Sequence, residues 1–210
     1  MASKDLSWKY VEQSTLESEA IAAARAQSLE LGIDPISPAT GAQVAVIAAA
    51  TNAASIIEVG TGIGVSGLWL LTGAPDAQLT SIDVEADHHE VARRHFTEAG
   101  HPASRVRLIT GRAIDVLPRM NEGSYDVVLI DADASSLHEY AEHALRLVRP
   151  GGAVLIAHAL WRDTVSDPAR RESTTTQLRE LIAELEASPA VHVALSPVGD
   201  GLLQLVTRRS

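Results

Sequence analysis

The segment Ile56-Ile57-Glu58-Val59-Gly60-Thr61-Gly62-Ile63-Gly64-Val65-Ser66-Gly67 constrains this chain more than any other. A β-branched run ends at an acidic residue, breaks into glycines and passes into the apolar stretch Leu68 to Leu71. That order reads as a strand, a tight turn and a helix N-terminus. Glycine has no Cβ to hold a ligand off, so such a turn lets bare backbone N–H groups approach one closely. Glu58 stands where the strand delivers its last side chain toward that ligand. A carboxylate there repels phosphate and accepts hydrogen bonds from an ammonium group.

The loop therefore favours a nucleoside carrying an amino acid, S-adenosylmethionine, over a pyrophosphate. Two other readings stay open. Gly62, Gly64 and Gly67 formally satisfy G-x-G-x-x-G, the signature of an NAD-dependent oxidoreductase. That match begins two residues past Gly60, and Glu58 would set a negative charge beside the dinucleotide's phosphates. A purely structural turn is the third reading, since strand–glycine–helix turns occur in most α/β domains.

At 210 residues the chain fits one domain, with residues 1–52 as a helical lid or dimerisation segment and 53–210 as the cofactor-binding core. It has no cysteine, which excludes disulfides, thiolate catalysis and cysteine-bound metal. A formal net charge of −10 argues against a nucleic-acid partner, which needs a basic face. No apolar run reaches the roughly 20 residues of a membrane span. The start, Met1 to Trp8, lacks a signal peptide's apolar core. These features suggest a soluble cytoplasmic protein.

Ser14 and Glu17 have capping-box spacing, which predicts a helix running to about residue 31. Ser37-Pro38 reads as an N-cap and N1 proline opening a second helix through Ala50. Compact apolar runs then predict strands at 55–59, 78–83, 105–110, 126–131 and 153–157. Helices fall between them at 65–73, 86–99, 112–120 and 135–148, with Gly100 just past the second of these. A longer helix is expected at 169–187. The runs 191–195 and 202–206 flank Pro197-Val198-Gly199-Asp200-Gly201 and read as a closing hairpin. The expectation is an α/β, Rossmann-like fold: a seven-stranded, mostly parallel sheet with a C-terminal antiparallel hairpin and helices on both faces. The antiparallel edge separates this plan from a six-strand dehydrogenase domain.

In such a sheet the ligand crosses the carboxyl ends of the strands. Strand two ends at Asp83, placed to bind both ribose hydroxyls of an adenosine or, alternatively, to cap the next helix. Strand three leads into Gly111-Arg112-Ala113, whose backbone could line the adenine, while Arg112 either faces the ligand or is solvated. Strand four ends in Asp131-Ala132-Asp133. Alternation sends Asp131 and Asp133 to one side if the chain stays extended.

Glu58-Val59-Gly60-Thr61-Gly62, Ser81-Ile82-Asp83, Leu129-Ile130-Asp131-Ala132-Asp133 and Leu147-Val148-Arg149-Pro150-Gly151-Gly152 together resemble the cation-dependent O-methyltransferases. That family includes the catechol and caffeoyl-CoA enzymes. The resemblance extends from about Pro38 to the C-terminus, through Leu160-Trp161 and Val198-Gly199-Asp200-Gly201. It implies a class I methyltransferase fold, S-adenosylmethionine and a homodimer. Position by position, it implies cofactor contacts from Ile36, Glu58, Gly60, Thr61, Gly62, Ser66, Asp83 and Val84. It sets Asp133 beside the methionine end and turns Asp131 toward the acceptor.

The departures are specific. The family's lysine after Asp-Ala-Asp, which helps deprotonate the acceptor, is Ala134 here. Its Asp-Asn metal-ligand pair after strand five is Ala157-His158. Of three metal ligands only Asp131 is unchanged, and magnesium wants several hard oxygens. The expectation is that no magnesium site remains. His158 reads as a general base, as a ligand for a softer metal such as zinc or manganese, or as a packed histidine filling the asparagine's space. The other seven histidines receive no role, and Trp8 and Trp161 are read as core or as an apolar acceptor wall. Asp131 and His158 are the candidate catalytic pair. The alternative within this fold is a cofactor-binding protein without transferase activity.

Overall fold

In the computed structural model, which describes residues 2–209, seven strands form one sheet in the order β3-β2-β1-β4-β5-β7-β6. They are β1 (Ser55–Val59), β2 (Gln78–Asp83), β3 (Val106–Thr110), β4 (Tyr125–Ile130), β5 (Val148–Ala157), β6 (Val191–Ser196) and β7 (Leu202–Thr207). β1 to β5 run parallel; β7 pairs antiparallel with both β5 and β6. The fold expectation is met, hairpin included.

Strands buried on both faces alternate their side chains between two cores. Ile56, Leu79, Val127, Leu129 and Leu155 turn to one, against α3 (Pro38–Ala50), α4 (Val65–Gly73) and α5 (Ala86–Glu98). Ile57, Ile82, Val128, Ile130 and Ile156 turn to the other. That second core is closed by α6 (Ala113–Val116), α7 (Leu137–Leu147) and α8 (Ser173–Ala187). Each such Ile or Leu side chain contributes about 1.5–3 kcal/mol on leaving water. Among the described residues no helix is long and apolar enough to cross a membrane.

The N-terminal region departs from the sequence expectation. A helix not foreseen, α1 (Ala2–Ser14), ends where the capping box was expected to begin. The cap of α2 (Glu19–Glu30) is Ser18, whose hydroxyl accepts the Ile21 N–H. Glu17 reaches across to Arg25 in a bidentate pair, and Arg25 also donates to the Ile36 carbonyl at 2.7 Å. The segment joining α2 to α3 is thereby tied down over the end of the sheet. Ser37 caps α3 with Pro38 in its first turn, as expected.

The strand order reverses between β1 and β4. β1 connects outward to β2 and β3, and β4 returns on the other side of β1. No helix covers the carboxyl ends of the strands at such a switch point, which leaves a crevice there.

Candidate active site

β1 runs out at Val59 and the chain turns back through Gly60, Gly62 and Gly64, all at positive φ, into α4. The turn is pinned to the neighbouring strands: Gly60 N–H donates to the Ile82 carbonyl and Asp131 N–H to the Val59 carbonyl. Asp83, at the end of β2, closes the loop from the side. Its Oδ2 accepts the Thr61 and Gly62 N–H groups at 2.9 Å each, and its Oδ1 accepts the Glu85 N–H at 3.0 Å.

Two clefts meet over Gly60, Asp83 and Asp131. One passes under the α2–α3 segment, lined by Ile33, Asp34, Pro35, Thr61, Gly62 and Ser66. The other runs along Val84, Gly111, Ala113, Asp133 and Tyr140. Asp34, Asp83, Asp131 and Asp133 all line this crevice, and among the described residues no lysine or arginine does.

Most of the expected residues therefore converge. Four stand elsewhere. His158 borders a small neighbouring hollow with Ile130, Ala157 and Trp161 and reaches the crevice only through Asp131. Ile36 is buried in the core, and its neighbours Ile33, Asp34 and Pro35 line the crevice instead. Arg112 is exposed and does not line it. Glu58 lies fully buried beneath the wall rather than on it, its Oε2 accepting the Ser81 hydroxyl at 2.5 Å and its Oε1 without a hydrogen-bond partner. Burial pushes its pKa up to about 8, against the opposing Ser81 and Ser66 hydroxyls.

Asp131 and Asp133 serve different surroundings, because the chain does not stay extended past β4. Asp133 caps the short 3-10 turn Ala134–Ser136 and accepts the Tyr140 hydroxyl at 2.9 Å. Its burial works to raise the pKa, but hydrogen bonds from Ser135, Tyr140 and Ser136 hold it below the usual carboxylate value. Asp131 turns to His158, whose Nε2 lies 3.4 Å from its Oδ1. Burial raises the Asp131 pKa to about 6; His158 opposes this, and Asp34 and Asp83 add to it.

Two further parts of the site went unread in the sequence. His158 also faces Asp200 from the hairpin, with Nδ1 3.2 Å from Oδ2. His89, expected on a helical surface, is buried: its Nε2 lies 3.1 Å from Thr61 Oγ1 and its Nδ1 3.0 Å from Thr110 Oγ1. Thr61 in turn meets Ser81 at 2.6 Å, so a buried polar chain joins Glu58, Ser81, Thr61 and His89 and reaches the surface at Thr110. His88 lines the crevice, His95 bonds Gln27 inside, and Trp161 packs against the second core.

Known proteins share this fold. The chain is similar to a solved Corynebacterium glutamicum protein, with a TM-score of 0.90 and 31% identity over 100% of this chain and 99% of that one. It is similar also to the O-methyltransferase TomG of Streptomyces achromogenes, solved in complex with SAM. That likeness has a TM-score of 0.82 and 27% identity over 93% and 92% of the two chains. A protein of Mycobacterium sp. (strain JLS), named provisionally as an O-methyltransferase, is 44% identical over 198 residues, 92% of this chain and 89% of its own length. Residues 11–209 match the family model described as O-methyltransferase, and the chain belongs to that family.

Proposed function

We propose that the crevice binds S-adenosylmethionine and that the chain catalyses transfer of its methyl group to an oxygen of a small-molecule acceptor. The observation that carries this reading is the crevice's charge. Four carboxylates line it and, among the described residues, no lysine or arginine does, which suits a ligand with a sulfonium and an ammonium and opposes a pyrophosphate. Bound there, S-adenosylmethionine supplies a methyl group already activated by its sulfonium.

The residues divide the remaining work. Asp83 offers the second lone pair of Oδ1 to the ribose hydroxyls while holding the glycine loop in place. Gly60, Thr61, Gly62 and Ser66 surround the amino-acid end, with Glu58 behind Ser66 as a proton-labile counter-charge for the ammonium. Val84, Gly111 and Ala113 border the adenine, and the Ile33–Pro35 stretch covers the site from above. Asp131 and His158 receive the acceptor, and His158 takes its proton.

The family resemblance also brings magnesium, and the residues here do not fit it. Ala157 carries no ligand atom, and the imidazole of His158 replaces an amide oxygen. Asp131 alone is left of the family's three ligands, too few for a hard cation. Proton removal therefore falls to side chains.

We further read the protein as a cytoplasmic homodimer. Absence of cysteine suits a reducing compartment. Leu6, Tyr10, Leu16 and Val46 stand exposed on the N-terminal helical segment, an apolar surface suited to a second copy.

Titration calorimetry with S-adenosylhomocysteine, S-adenosylmethionine and NAD tests the central reading. Binding of the first two and not of NAD is expected, followed by label transfer from methyl-labelled donor in an acceptor screen. Binding of NAD alone would overturn it.

A further inference from the structure

His158 is held between two carboxylates: Nε2 lies 3.4 Å from Asp131 Oδ1 and Nδ1 lies 3.2 Å from Asp200 Oδ2. The two are not equivalent. Asp131 stands on the cofactor crevice, whereas Asp200 sits at the tip of the β6–β7 hairpin and is fixed by the backbone around it. Its Oδ1 accepts the Arg162 N–H at 2.5 Å, and its carbonyl accepts the Leu160 N–H at 2.9 Å. The carbonyl of Gly201 accepts the Ala159 N–H at 3.1 Å. Gly201 has φ +86, and a Cβ there would stand 2.7 Å from the Leu160 nitrogen, so glycine is what lets hairpin and loop approach this closely.

The loop so held is unusual. His158, Trp161, Arg162 and Asp163 all take left-handed φ, at 55°, 47°, 54° and 62°. Residues with a side chain stay in that region only where their surroundings enforce it. Here the hairpin does so, and the result is one fixed direction for the His158 ring.

The hydrogen-bond chemistry then sets the ring's tautomer. The two contacts differ in geometry: Nδ1 and Asp200 Oδ2 form a hydrogen bond, whereas Nε2 and Asp131 Oδ1 lie 3.4 Å apart without hydrogen-bond geometry. Since a carboxylate only accepts, the hydrogen shared with Asp200 belongs to Nδ1. A neutral imidazole carries one N–H, which leaves Nε2 bare on the side of Asp131. We infer that Asp200 is a positioning residue that holds His158 as the Nδ1–H tautomer and keeps the bare Nε2 turned to the acceptor beside Asp131. This rests on the reading of His158 as the base. As the acceptor oxygen bonds the methyl carbon, its O–H proton passes to Nε2 and the carbon–sulfur electron pair stays on sulfur. The imidazolium formed is balanced by Asp200 and Asp131.

Long-range proton–nitrogen NMR of the full chain, labelled with nitrogen-15 in histidine and held where the ring is neutral, reads the tautomer directly. His158→Gln identifies the signal by its loss. The Nδ1–H form is expected in the unaltered protein. In Asp200→Asn the amide oxygen can keep the Arg162 N–H, which turns the amide N–H toward Nδ1 and should flip His158 to the Nε2–H form. An Nε2–H tautomer in the unaltered chain, or an Asp200→Asn variant that keeps the Nδ1–H form, overturns the inference. Calorimetry with S-adenosylhomocysteine on the same samples separates the two readings. Failure to bind would sink the proposed function, and the tautomer would still decide the role of Asp200.

Discussion

Gly60 lies so close to Asp131 that a Cβ added to it would stand 1.8 Å from the Asp131 carbonyl oxygen. Two strands of the sheet are drawn together there, and the floor of the crevice is backbone. Gly60 also has φ +92, a region costly for any residue with a side chain. Gly60→Ala must therefore push β1 and β4 apart where the cofactor would sit. Strain of about 1–3 kcal/mol is expected, lowering the melting temperature by roughly 2–4 °C per kcal/mol in a chain of this size. S-adenosylhomocysteine binding should be lost altogether. Calorimetry that finds unchanged affinity would mean the ligand does not lie over this loop.

Glu58 gives the protein a pH signature. Its pKa moves from 4.5 to about 8 on folding, so the folded chain keeps a proton that the unfolded chain has released. Stability should then fall as pH rises between those values, by up to roughly 1.4 kcal/mol per unit, and the slope should end on either side. Asp131, raised from 3.8 to about 6, adds a slope of the same sign below pH 6. Thermal melts of Glu58→Gln should lose the dependence between pH 6 and 8 and keep the part below 6. An ammonium beside Glu58 favours the carboxylate, so binding of S-adenosylhomocysteine near neutral pH should release a proton. Calorimetry in two buffers of different ionisation enthalpy counts it, and a count of zero would separate Glu58 from the ammonium.

Asp83 is expected to matter twice. Removing its carboxylate takes away the ribose partner and also frees the Thr61 and Gly62 N–H groups that it holds. Loss of a charge-assisted hydrogen bond costs on the order of 1.5–3 kcal/mol, roughly tenfold to a hundredfold in affinity. Asp83→Ala should weaken S-adenosylhomocysteine by at least that range while leaving the far-ultraviolet circular dichroism unchanged. A folded variant with full affinity would remove Asp83 from the binding site.

The assembly can be weighed directly. The apolar residues near the start of the chain divide between core and surface: Ile21 and Ala24 are buried, whereas Leu16 and Leu29 are exposed. With Leu6, Tyr10 and Val46 they leave an apolar surface that a second copy would cover. Light scattering is expected to give about twice the 22.2 kDa chain mass at micromolar concentration. A monomer mass across that range would contradict it.

How far the sequence could be read depends on the distance over which each signal acts. β1, β2 and α4 fall on the boundaries that their apolar runs and glycines mark, because period and punctuation are local. α1 was missed because residues 2–14 show no apolar stripe. Ser14 and Glu17 have the spacing of a capping box, yet Glu17 is engaged by Arg25, a pairing between two turns of chain that spacing alone does not reveal. β5 begins at Val148 rather than 153, since a register shift opposite Tyr125 and Val127 lets it resume after Pro150-Gly151-Gly152. In the site, Asp83 and Asp131 were legible because strand ends deliver them. Asp200 and His89 were not, because each acts through a partner at least 21 residues away. Ile36 was carried over from a resemblance, and the lid's register turns it inward.

Magnesium binding tests the proposed departure at the end of β5. Ala157 ends β5, paired with Leu202 and next to His158, and both border a small hollow with Ile130 and Trp161. Neither offers a hard oxygen. A magnesium ion at Asp131 would lose most of its protein shell and keep its water instead. Magnesium binding no tighter than millimolar is expected, together with methyl transfer that survives EDTA. The double variant Ala157→Asp, His158→Asn should restore a measurable magnesium site. The second change suits the backbone as well, since residue 158 has φ +55 and asparagine tolerates that region better than most side chains. Calorimetry with magnesium on both proteins makes the comparison. Activity of the unaltered chain abolished by EDTA and recovered by magnesium would overturn this account of the site. Recovery by zinc or manganese alone would make His158 a ligand rather than a base, because an imidazole suits those ions better.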